Sequence, residues 1–140
     1  MSPQQTLQKL LVGRAFSGFR FHTGFSLRFD GRAGTTYVDL EGAWFVGSLA
    51  AWQSSLAGFP MQGVEPEEPL QAASLAFIRW NSGGHVISAS IDGTNLVLEL
   101  EDGWSLTTRA DANGDNDWSV YEASGPSVSC EGGVVEVSDS

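Results

Sequence analysis

The chain has 140 residues, 41% of them hydrophobic and 17% charged, with 17 acidic against 7 basic side chains and a formal net charge of −10. That hydrophobic content, with five tryptophans, excludes intrinsic disorder, which pairs low hydrophobicity with high charge. The length predicts a single domain over residues 1–140 with one real core, and the lone cysteine, Cys130, excludes an intrachain disulfide.

In chain order, residues 4–12 carry Leu7, Leu10 and Leu11 on one helical face, with Gly13 as a stop. Phe19 and Phe21, then Phe25, Leu27 and Phe29, alternate at the period of half-buried strands, joined by a turn at His22-Thr23-Gly24. Thr35–Leu40 and Ala43–Val46 read as two further strands. Residues 47–69 read as a connection ending in Glu65-Pro66-Glu67-Glu68-Pro69, where prolines and acids suit the first turn of a helix. That helix is expected through Asn81, with strand as its competitor over Ser74–Trp80. A meander follows, Val86–Ile91, Leu96–Leu100 and Trp104–Thr108, with Asp92-Gly93 and Asp102-Gly103 as hairpin turns. Trp118–Ala123, Ser127–Cys130 and Val134–Val137 close the chain as strands. Cys130 is expected as a buried strand thiol.

Sliding the sequence by 71 residues lays Gly13 on Gly84, Phe16 on Ile87, Thr23 on Thr94, Phe25 on Leu96, Leu27 on Leu98 and Phe29 on Leu100. An internal duplication, with repeats at 4–46 and 70–110 and a linker at about 47–69, is one reading of that match; generic β alternation is the other. The expected fold is α+β and mostly antiparallel β. Two meander sheets pack as a sandwich or bent sheet, with one or two helices.

Leu11-Val12-Gly13, the Glu65–Pro69 helix entry, the Asp102-Gly103 turn, the closing Tyr121-Glu122-Ala123 strand and Gly132-Gly133 resemble a family of small uncharacterised bacterial proteins, a domain of unknown function. The resemblance spans roughly residues 10–137 on motifs of at most three residues, and departs at Ser124, where the family has Trp. It implies an architecture and no activity. Such proteins are similar in style to the immunity proteins of bacterial toxin systems.

The charge is lopsided. Residues 1–91 hold six carboxylates and six bases, and residues 92–140 hold eleven carboxylates and one base, Arg109. A field of one sign attracts cations and basic proteins. It disfavours nucleic acid, whose binding needs basic groups to displace counterions. No segment approaches the roughly 18 apolar residues of a membrane span, and Met1–Gly13 lacks the basic start and long apolar run of a signal peptide. A cytoplasmic protein without membrane contact is expected. Arg20 and Arg28, between phenylalanines, form a small basic patch or pair with acids of the same chain.

The sharpest local pattern runs from Asp111 to Glu122. As a twelve-residue calcium loop it places Asp111, Asn113 and Asp115 at positions 1, 3 and 5, Ser119 at 9 and Glu122 at 12. Asn116 stands where the loop needs glycine, and no helix flanks it. An acidic hairpin loop is the competing reading. Otherwise no cofactor is implied. His22 and His85 have no ligand or nucleophile at useful spacing, no Gly-x-Ser-x-Gly elbow exists, and Glu99 with Glu101 reads as a solvated strand face. Trp104 beside Asp102 and Trp118 beside Asp117 have the composition of interface anchors. The expected partner surface is therefore Asp102, Trp104, Asp111, Asp115, Asp117 and Trp118. The first functional reading is a non-enzymatic binder of a basic protein, such as a cytosolic immunity protein. A calcium-stabilised module comes second, and a small-molecule pocket protein or hydrolase third.

Overall fold

The computed structural model describes residues 2–60, 63, 65–81, 84–110 and 116–139. Among the described residues the elements are three α-helices and ten strands. In order they are α1 (Pro3–Leu11), β1 (Ala15–Phe21), β2 (Phe25–Gly31), β3 (Gly34–Leu40), β4 (Ala43–Val46), α2 (Leu49–Ala57), α3 (Glu67–Asn81), β5 (Val86–Asp92), β6 (Asn95–Leu100), β7 (Ser105–Arg109), β8 (Trp118–Tyr121), β9 (Ser127–Glu131) and β10 (Val134–Ser138). A single 3-10 turn, Glu101–Gly103, joins β6 to β7. The fold is α+β, with two open antiparallel sheets packed together, as the alternation predicted.

Local sequence sets the ends of these elements. Ser2 caps α1 by a reciprocal pair. Its Oγ accepts from the Gln5 amide at 3.1 Å, and the Ser2 amide donates to Gln5 Oε1 at 3.1 Å. Asp102 and Gly103 both take positive φ, 66° and 81°, as the Asp-Gly turn requires. The segment 47–69, expected as a connection, contains α2. Ser48 caps it through the Ala51 amide, and Trp52 is its buried anchor. Six of its nine residues are apolar and they spread over more than one face, so no single helical stripe marks it in sequence.

The first sheet runs β1-β2-β3-β8-β9-β10 and the second β4-β7-β6-β5. Each is therefore a three-stranded meander from one half of the chain extended from the other half, the first by three strands (β8, β9 and β10) and the second by β4 alone. The registers correspond. Leu27 faces Val38 as Leu98 faces Leu106, and Leu40 faces Trp118 as Thr108 faces Trp44. Helix packing follows the same exchange, with α1 on β5 and α3 on β1. The two halves meet where Phe16 N donates to Gly84 O and Val86 N donates to Arg14 O. Gly13 and Gly84 turn the chain there at φ of 87° and 66°, a conformation other residues adopt at a cost.

The 71-residue match needs one correction. It holds along β2 and β6, but Phe16 corresponds to Val86, not to Ile87. Both first strands carry a bulge, between Phe16 and Gly18 and between Val86 and Ser88, which shifts the side-chain phase. Phe16 faces Phe29 as Val86 faces Leu100, and Ile87 is left exposed.

Inward side chains of both sheets form one cluster with the apolar face of α1. Trp44, Trp118, Phe29, Leu98 and Val120 lie in it. The open edge of β5 is closed by a side chain. Gln4 Nε2 donates to Ala89 O at 2.8 Å, and Gln4 Oε1 accepts from Ile91 N at 2.9 Å. Arg14 is buried, donating to Glu122 Oε1 at 2.8 Å and to Thr36 Oγ1, so one ion pair ties the start of β1 to the end of β8. Among the described residues, no helix is long and apolar enough to cross a membrane.

Candidate partner-binding surface

Every second residue of β2, β3, β8 and β9 points away from the core. On the first sheet this outer face carries Ser26 and Arg28, Tyr37 and Asp39, Ser119 and Tyr121, and Ser129, in neighbouring rows. Strand pairing alone makes these residues neighbours. β3 and β8 lie about eighty residues apart in sequence, yet Tyr37 stands opposite Tyr121 and Asp39 opposite Ser119.

Asp39 is the fixed point of this face. Its Oδ1 accepts from Ser26 Oγ at 2.7 Å and its Oδ2 accepts from the Tyr121 hydroxyl at 3.1 Å. The Tyr121 ring stacks on Tyr37, with centroids 5.6 Å apart and planes 29° apart. Burial, and then the negative charge of Asp39, push the Tyr121 phenol above its ordinary pKa, so it remains a hydrogen-bond donor at neutral pH. Beyond Asp39 the charge is of one sign. Asp39, Glu41, Asp117 and Glu131 line a single depression of about 280 Å³ with Ser119, Ser129 and Cys130. A second depression of about 240 Å³ shares Asp39 and Glu41 and continues past Tyr121 to Arg20 and His22. Arg20 thus borders the carboxylates. Arg28 pairs with Asp30 at 3.2 Å along the outer face of β2. Thr35, more than Arg28, holds the Asp30 carboxyl below its usual pKa.

The predicted partner residues divide. Asp117 lies in this depression, where its Oδ1 accepts from the Gly132 amide at 3.1 Å. Trp118 does not serve as an anchor. It is 2% exposed, its indole donates to Thr94 O at 2.9 Å, and it occupies the same core position as Trp44 in the other half. Trp118 borders the depression beside Asp117, but it lies almost wholly in the core and presents no surface to a partner. Asp102 is exposed, and Trp104 is half-buried against Phe77 with ring centroids 5.8 Å apart; this pair lies on the second sheet's side of the molecule. Asp111 and Asp115 lie outside the described residues. Sequence reasoning missed Asp39, Glu41 and Glu131. Asp39 sits at an outward position between Val38 and Leu40, which signals exposure but not which distant strand lies beside it.

The calcium-loop reading meets three obstacles. Asp111 and Asn113, like Asp115, lie outside the described residues, but Ser119 and Glu122 can be placed, and they diverge. Ser119 is on the outer face beside Asp39, whereas Glu122 turns inward to pair with Arg14. Asn116 is fully buried, and its Nδ2 donates to Thr94 O at 3.1 Å, to Thr108 Oγ1 at 3.0 Å and to Asn95 Oδ1. It pins the β5–β6 turn to β7. Among the described residues Asp102 is the only non-glycine at positive φ, so Asn116 does not make the sharp turn of such a loop. The described residues contain no group of three His, Cys, Asp or Glu placed to hold a metal ion. His85 Nδ1 lies 2.8 Å from Glu101 Oε1, a contact that lowers the Glu101 pKa, and Cys130 is buried with its thiol pKa raised by that burial.

Comparison with protein-family models, curated proteins and solved structures finds no match. The surface is therefore read from its own chemistry.

Proposed function

We propose that this protein binds a basic protein partner on the outer face of its first sheet and catalyses no reaction there. One observation carries the reading. Asp39, Glu41, Asp117 and Glu131, drawn from both halves of the chain, surround one open depression beside the Tyr37–Tyr121 stack. Carboxylates gathered this way focus the field of a chain already at −10, which speeds capture of a cation. Flat tyrosines add contact area at low entropic cost, the usual composition of a protein-binding face. In its finer form the reading is a cytosolic immunity protein that neutralises a cationic toxin. Electrostatics would give it fast capture, and the tyrosines would slow release.

The test is the association rate of the purified chain with a basic protein that it retains. That rate should fall steeply as salt rises to physiological strength, where the screening length shrinks to about 8 Å. Glu41→Lys with Glu131→Lys, both at exposed positions, should lower it by about ten-fold or more. A tight complex whose association rate ignores both salt and these reversals would overturn the proposal.

A further inference from the structure

The exchange of strands between the halves reveals a surface that one half covers and the other leaves open. Gly13 and Gly84 occupy matching junctions, so α1 and α3 correspond at a separation of 71 residues. On α1, Thr6, Leu7, Leu10 and Leu11 are all at most 1% exposed, because β8, β9 and β10 pack along this helix as well as β5. On α3 the matching inner position, Ile78, is buried like Leu7, but Phe77 stands where Thr6 stands and is 56% exposed. Among the described residues the second sheet ends at β4 and has no counterpart of β9 and β10. One turn along the same flank, Trp80 is 87% exposed. Trp104 meets Phe77 edge to face from below.

Isolated exposed apolar residues are ordinary, but two large aromatics on one helical flank, resting on a third, are the composition of a docking site. Its surroundings limit the occupant. The exposed Asp102 and Glu101, whose Oε1 lies 2.8 Å from His85 Nδ1, flank Trp104 in sequence. Arg79, the base beside Trp80, has its Nε committed to Ser17 O at 3.2 Å. A second copy would bring another net charge of −10 against the first. Open indole faces and nearby carboxylates both favour Arg or Lys.

We propose that the α3 flank formed by Phe77 and Trp80 over Trp104 is a second docking surface, which takes a short segment of a basic protein carrying Lys or Arg beside apolar side chains. It is separate from the carboxylate face and does not need it.

Two synthetic peptides of equal length and arginine content test this, one with leucine and the other with serine between the arginines. The leucine peptide should bind at least ten-fold more tightly and perturb tryptophan fluorescence. Trp80→Ser and Phe77→Ser should each erase that preference while leaving the weak binding of the serine peptide unchanged, and Trp80→Ser should also leave the melting temperature unchanged. Four results overturn the proposal: equal affinity for the two peptides, no binding of either, a leucine preference that survives Trp80→Ser, or a wild-type dimer in sedimentation that Trp80→Ser dissociates. The last would assign the flank to a second copy. Glu41→Lys with Glu131→Lys should leave the leucine preference intact, so failure of the carboxylate face and failure of the α3 flank give different results.

Discussion

The two sheets place the same kinds of residue inward and different kinds outward. Inside, Leu27, Val38 and Trp118 of the first sheet answer to Leu98, Leu106 and Trp44 of the second, all buried. Outside, the positions of Asp39, Tyr37, Ser26, Arg28 and Tyr121 are taken in the second sheet by Thr107, Ser105, Val97, Glu99 and Gly47. One framework thus presents a charged, aromatic face on one side and a mild one on the other. Inward positions are held by packing, which tolerates little change of volume. Outward positions are free to differ, and there only one sheet acquired a cluster of ionisable groups.

The inward equivalence can be broken hardest. Trp44→Ala and Trp118→Ala should each cost about 3–5 kcal/mol, since both remove a buried indole from a filled core. Denaturant unfolding measures this. A cost below about 1 kcal/mol at either site would show that the two positions are not equivalent. Arg14→Met should follow closely. Removing one partner of a buried ion pair costs about 3–5 kcal/mol, here toward the lower end because Glu122 keeps 28% of its side-chain surface in water. Restoring much of the loss with Glu122→Leu in the Arg14→Met background would confirm the stranded carboxylate as its source.

The outward difference should show in rate and not in stability. Glu99→Gln on the second sheet should leave association with a basic partner unchanged and shift stability by no more than about 0.5 kcal/mol. A drop in association rate comparable to that from the Glu41 and Glu131 reversals would erase the distinction between the faces. The smallest effect is alkaline. The folded-state pKa of Tyr121 is raised, so its share of stability is complete below the unfolded phenol value of about 10 and is lost as pH climbs through the folded value. Phenolate absorbance should show a late phase that Tyr121→Phe removes. A Tyr121→Phe variant that keeps this late phase would assign it to another phenol.

Alternation and glycine turns settled much of this molecule before any contact was known. The period of two in Phe25–Phe29, Leu96–Leu100 and Trp118–Tyr121 determined strands with one buried face, and Leu7, Leu10 and Leu11 determined the inner stripe of α1, because these patterns depend only on local backbone geometry. Positive-φ sites such as Asp102-Gly103 fixed hairpins for the same reason. Pairing across the chain was decided by the tertiary structure alone. That β4 joins β7, that β8 joins β3, and that Asp39 and Glu41 of the charge-neutral half stand beside Asp117 and Glu131 follow from non-local hydrogen bonding. The bulges that displaced Ile87 from the core, and the inward turn of Glu122 to Arg14, also depend on partners remote in sequence. Periodicity tells a residue which side of its strand it occupies; only the folded sheet tells it which neighbours share that side.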